Sequence, residues 1–106
     1  MIWLLACFQK TPPAPVVEEV EQAVRYNHVA RAHYIRANMH RERGELSLAA
    51  AEYKRAILFD PKAAVLYLEL AEVRAALGED ELALEYLREA ALLGSEEARA
   101  LLVEGD

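Results

Sequence analysis

Three histidines, one cysteine and two serines are the residues in this chain whose side chains could do chemistry. His33 and His40 are seven residues apart. On a helix that spacing puts them on one face but two turns apart, too far for two ligands of one ion. Helices that bind zinc use an i,i+4 pair, and neither that pair nor a nearby Cys is present. His28, His33 and His40 therefore read as polar surface or inter-helix side chains, with no metal and no cofactor expected. Ser47 and Ser95 both stand near helix starts. Nothing in the sequence places a His and an orienting acid beside either of them, as a nucleophilic triad requires. Gly44, Gly78, Gly94 and Gly105 are isolated, so no glycine-rich loop cradles a phosphate. Glu79-Asp80-Glu81 reads as turn and first-turn acids at a helix N-terminus, not as a general acid–base pair. The chemistry-bearing residues point away from an enzyme.

The bulk composition narrows the alternatives. With 106 residues and a net charge of −6, the chain is one small domain or a short repeat array. Non-specific nucleic-acid binding is disfavoured. A hydrophobic content of 55% is rich in alanine and poor in Ile, Thr and Phe, a balance that suits packed helices better than sheets. The charge is uneven. Residues 25–43 carry Arg25, Arg31, Arg36, Arg41 and Arg43 against Glu42 alone, whereas Ala64 to Asp106 holds three arginines against eleven carboxylates. Runs of this kind are usually solvated faces, and they are also the sign of a basic front that can meet an acidic back.

The elements follow from the punctuation. Thr11–Pro15 reads TPPAP, an extended linker that no helix interior tolerates. Between Val16 and Arg43 there is neither Gly nor Pro. Val16, Val20 and Val24 recur every four residues behind Glu18, Glu19 and Glu21. This stretch is one long helix or two, with Asn27 as a plausible cap at a break. Beyond it the chain repeats at a period of 34 residues. Ala30–Ala63 laid over Ala64–Glu97 matches at Ala30/Ala64, Ala37/Ala71, Gly44/Gly78, Glu45/Glu79, Leu48/Leu82, Ala49/Ala83, Ala56/Ala90 and Leu58/Leu92. Each unit parses as helix, Gly turn, helix, because glycine ends a helix cheaply in the left-handed conformation. Asp60-Pro61 stops unit one. Gly94 stops unit two, and Ser95 caps a last helix that presents Ala98, Leu101 and Leu102. The expected packing face of the second helix is Leu46, Ala49, Tyr53, Ala56, Ile57 and Phe59 in unit one. In unit two it is Leu82, Ala83, Leu87, Ala90, Ala91 and Leu93.

Units of this length carrying Ala37, Gly44, Leu46, Ala49, Tyr53, Ala56 and Asp60-Pro61, then Tyr67, Leu70, Ala71, Gly78, Ala83, Leu87 and Ala90, resemble the tetratricopeptide repeat. The resemblance implies an all-α fold of antiparallel helix-pair repeats stacked as a short right-handed solenoid. A leading helix would span 16–29, repeats 30–63 and 64–97, and a capping helix 98–106. It departs from the family at His33, Arg36 and His40, where an aromatic, a Leu and a Tyr are usual, and at Arg74, Asp80 and Gly94-Ser95. Such a polar face asks for cover, expected from the Val16–Tyr26 helix through Glu18, Glu19 or Glu21, or from a partner.

The resemblance also implies the function class: a non-enzymatic scaffold that binds another protein or a peptide segment on its inner surface. Carried over by position, that surface holds Arg31, Tyr34, Asn38, Arg41 and Glu42, then Val65, Leu68 and Glu72, cationic at one end and apolar at the other. The alternative occupant of so short a groove is the protein's own leading helix. Some relatives clamp the carboxylate of chaperone tails; here Tyr34 and Glu69 replace a Lys and an Asn of that clamp, so no such ligand is implied.

Residues 1–15 lie outside the repeat. Leu4-Leu5-Ala6-Cys7 is similar to the box at which bacterial lipoproteins are lipidated, and the proline-rich tether behind Cys7 is what such proteins show. Six residues precede Cys7, fewer than the charged start and 7–15 apolar residues of a full signal. Two alternatives follow: a start upstream of Met1, or an accidental match. The first implies a scaffold lipid-anchored through Cys7 in the bacterial cell envelope, at the outer membrane, where it helps assemble a partner complex. Its rivals are a cytoplasmic adaptor and a homo-oligomer in which the basic repeat of one copy stacks on the acidic end of another.

Overall fold

The computed structural model describes residues 17–104, with side chains from residue 27 to residue 104. Among the described residues there are five helices and no strands: α1 Val17–Glu42, α2 Leu46–Phe59, α3 Ala64–Ala76, α4 Asp80–Leu92 and α5 Glu96–Glu104. Each helix packs against the next in chain order, α1 on α2, α2 on α3, α3 on α4 and α4 on α5. This is the stacking of a helical solenoid.

The open question at Asn27 resolves to one helix, 26 residues long. An Asn in a helix interior costs under about 0.7 kcal/mol relative to alanine. With no Gly or Pro nearby, that cost breaks nothing. Residues 17–29 are therefore a continuation of the first helix of unit one. A continuous helix cannot fold back on its own polar face, so the expected cover from a separate Val16–Tyr26 helix is corrected. Cys7 and the rest of the LLAC segment lie outside the described residues.

Three of the four junctions between the described helices use one device, α2 ending instead at Asp60-Pro61. Gly44, Gly78 and Gly94 have φ of 77°, 81° and 107°, the left-handed region in which a Cβ is penalised. At the first stop the Gly44 amide donates to Arg41 O (3.0 Å) and the Glu45 amide to His40 O (2.9 Å). The same pair of bonds recurs at Gly78-Glu79 and at Gly94-Ser95, which is the Schellman closure of a helix C-terminus. Ser95 then caps α5, its Oγ accepting from the Ala98 amide at 3.1 Å.

The core lies between the units. Ala37, Ala49, Ala50 and Tyr53 of unit one close on Leu70 and Val73 of α3. A second cluster joins Leu68, Ala90, Ala91 and Ala98. Alanine at these positions lets helix axes approach, while Tyr53, Leu70 and Val73 fill the remaining volume. Leu82 departs from its expected packing role and is exposed, as is its counterpart Leu48. Leu58 and Leu92 are 78% and 79% exposed. These two matching leucine pairs thus face water, and packing does not account for them.

Candidate functional site

The polar face of α1 is satisfied from within. His33 Nδ1 lies 2.7 Å from Glu52 Oε2 of α2. A carboxylate only accepts, so this nitrogen carries the proton and donates. The imidazole also stacks on Phe59, with ring centroids 5.9 Å apart and planes 14° from parallel. Arg55 Nη1 donates to the other oxygen of Glu52 at 2.6 Å. Burial pushes the Glu52 carboxyl upward, but hydrogen bonds from His33 and Arg55 outweigh it and hold the group below the ordinary carboxylate range. Glu52 answers the unusual histidine; Glu18, Glu19 and Glu21 lie outside the residues whose side chains are described.

His40 and Arg74, 34 residues apart, share a second arrangement. His40 Nδ1 sits 3.4 Å from Glu45 Oε1, and Arg74 Nη1 donates to Glu79 Oε2 at 2.7 Å. Each pair clasps a Gly turn from one side to the other, which gives the matching Glu45 and Glu79 a reason. Arg74 Nε is buried and has no hydrogen-bond partner among the described residues. No group of three or more His, Cys, Asp or Glu side chains among those residues is arranged to hold a metal ion.

On the predicted inner surface, Arg41 is the hub. Its guanidinium bonds Glu69 through one nitrogen and Glu72 through the other, the latter at 2.7 Å. The hydrogen bond to Glu72 strengthens its hold on its proton, against the opposing effect of burial. Glu69 and Glu72 are one turn apart on α3, so the fork ties unit one to unit two. Asn38 accepts a hydrogen bond from the hydroxyl of Tyr53, whose ionisation burial pushes upward.

The eight predicted groove residues therefore separate into four sets. Arg31, Tyr34 and Val65 do come together, lining a shallow hollow between α1 and the start of α3 with Asn27, Asp60 and Leu66. Asn38, Arg41 and Glu72 are engaged in internal bonds, and Glu42 is exposed. Leu68 is buried with Ala90, Ala91 and Ala98, where it serves packing. Sequence reasoning missed Glu52 and the pairing role of Glu69. The available signal for Glu52 was its place on the stripe of Ala49, Tyr53 and Ala56: a carboxylate on a buried stripe must have a donor on the facing helix.

No curated protein matches this sequence. Residues 37–78 match the family model described as TPR repeat, a stretch running from the last turns of α1 through α2 and α3 to the Gly78 turn. The helix pairs, the Schellman stops and this match together make the chain an all-helical repeat solenoid that carries the TPR repeat over residues 37–78, less than half of its length.

Proposed function

We propose that this chain is a non-enzymatic scaffold that holds a protein segment on the inner surface of its repeats while tethered to a bacterial cell envelope through lipidated Cys7. A repeat of this type suits protein–protein interaction. The observation that carries the binding reading is the hollow of Arg31, Tyr34 and Val65 at one end of a face whose other end is lined by Ala71, Ala75 and Leu84. Between them, Arg41 with Glu69 and Glu72 carries a local charge of about −1. The fitting segment presents an anionic group toward Arg31 and aliphatic side chains beyond, and brings no carboxylate to the centre.

The tether rests on LLAC followed by TPPAP. Among the described residues no helix is long and apolar enough to cross a membrane, so the envelope reading depends on acylation of Cys7. Two experiments test the parts separately. Membrane fractionation of the natural gene product against Cys7→Ser should move the protein from membrane to soluble fraction. Equal partition of both versions overturns the tether. Site-specific photocrosslinking from Tyr34 should trap a partner that Arg31→Glu no longer traps, with helix content unchanged. Identical capture by both versions overturns the groove.

A further inference from the structure

Among the described residues the two ends of the array expose complementary surfaces. The 34-residue shift makes this visible. In unit one, Ala37, Ala49, Ala50 and Tyr53 form a surface that Leu70 and Val73 of α3 fill completely. Their counterparts in unit two, Ala71, Ala83, Leu84 and Leu87, remain an open apolar hollow of about 320 Å³, lined also by Ala75 and Leu101 and edged by Glu72 and Asp80. Ala50 is 2% exposed, its counterpart Leu84 39%. α3 runs 13 residues, whereas α5, which takes the equivalent place on unit two, runs nine. Where Val73 plugs unit one, nothing described plugs unit two.

The opposite end carries the unmatched plug. Met39 is the counterpart of Val73, yet it is 47% exposed where Val73 is 1%. Ile35, one turn away on the same outward stripe of α1, is exposed as well. Arg36 and Arg43 flank this stripe on one side and Arg31 on the other, all exposed. Asp80 stands on the rim of the hollow at the start of α4, followed in sequence by Glu81, and Glu104 is the last residue of α5; all three are exposed.

We propose that a second copy of this chain docks head to tail. Met39 and Ile35 of one copy enter the Leu84 hollow of the other, and the arginines beside them meet its acidic rim. With α5 in place, the incoming α1 crosses the end of that helix. Two identical Met39 faces cannot pair with each other, because their arginines would be opposed. The contact is heterologous, and it leaves a free plug and a free hollow on every pair, so it extends to rings or filaments. A patch this small gives weak association, strengthened at low salt. The contact occupies the Leu84 hollow, the aliphatic end of the inner surface proposed above, so a second copy and a bound segment compete there; self-association is read on the chain alone and does not depend on that segment.

Sedimentation velocity on the full chain in reductant tests it, over about 10 µM to 1 mM at low ionic strength, the range in which contacts below standard interface size dissociate. Wild type should gain mass with concentration and lose that gain in high salt. Met39→Glu and Leu84→Glu should each stay monomeric. Mixed together they should form a pair and stop there, because each retains one intact face. Helix content by circular dichroism checks folding. The charge-swapped pair Arg36→Glu/Arg43→Glu and Asp80→Lys/Glu104→Lys gives the same readout while leaving the apolar lining of the hollow unchanged. A wild type that stays monomeric at every concentration overturns the proposal. So does either single variant associating like wild type, or a mixture that remains monomeric.

Discussion

Replacing Glu52 with Gln is the sharpest test of how the polar face of α1 is held. The side chain keeps its shape and loses its charge. Glu52 receives two bonds, and they are unequal. His33 and Glu52 are both largely buried, so their 2.7 Å bond is a charge-assisted contact shielded from water, of a kind that contributes about 1.5–3 kcal/mol. The Arg55 guanidinium is 58% exposed, and a pair with one end in solvent contributes about 0.5 kcal/mol or less. The expected loss at pH 7 is therefore about 2 kcal/mol, almost all of it from His33. In a domain of this size that lowers the melting temperature by roughly 8–16 °C. The pH dependence has a definite sign. Glu52 is held below the ordinary glutamate value of 4.5 in the folded state, so its stabilisation is fully present above about pH 4.5. It disappears as pH falls below that value and the folded carboxylate takes up a proton. Thermal melts by circular dichroism from pH 7 to pH 3.5 should show a constant gap between wild type and Glu52→Gln above the glutamate range, and a shrinking gap below it. A variant within about 0.5 kcal/mol of wild type at neutral pH, the spread expected of surface substitutions, would refute the reasoning. A gap unchanged down to pH 3.5 would do the same.

Other substitutions probe the remaining supports. Gly44→Ala should cost about 1–2 kcal/mol in urea denaturation, all of it backbone strain, since a Cβ there meets nothing within 4 Å. Gly94→Ala should match it, and the two losses should add because the turns share no partner. Leu70→Ala, which empties a fully buried site between the units, should cost about 2–5 kcal/mol by the same measurement. Arg41→Met leaves Glu69 and Glu72 without their shared cation. The groups are about a third exposed, so the loss should be only about 1 kcal/mol and should shrink as salt is added to the unfolding buffer.

The legible parts of this chain were those governed by local backbone chemistry. Gly44, Gly78 and Gly94 announced their turns because a left-handed residue after a helix is a position where glycine alone is free of strain. Ser95 announced a cap because its hydroxyl answers an amide three residues on. Asn27 left one helix or two open: a cap residue ends a helix only where something else also favours ending, and between Val16 and Arg43 nothing does. The site was less legible, since it depends on which faces of different helices meet. Arg41 read as a free cation on an inner surface. It is instead consumed by two carboxylates, 28 and 31 residues further along. Leu68 followed the groove positions by number but was drawn into the core by the alanines of α4 and α5.

These pairings change what holds the solenoid together. In the repeat pattern that this chain resembles, an aromatic, a Leu and a Tyr fill the face where His33, Arg36 and His40 stand. Here His33 is paired with Glu52 within unit one, His40 and Arg74 clasp the two Gly turns, and Arg41 bridges to unit two. Part of the work of apolar packing has passed to half-buried charge pairs. Such pairs are directional, whereas apolar contacts slide. The Arg41 fork engages carboxylates one turn apart on α3 and therefore fixes both the rotation of that helix and its distance from α1. The inner surface lies between these same two helices, so its shape is set by an ion pair that a ligand can reach. An anion brought to Arg41 would compete with Glu69 and Glu72 and loosen the junction. A ligand that leaves the fork intact meets a rigid surface, which favours one that binds at Arg31 and at the aliphatic end and spans the centre without a carboxylate.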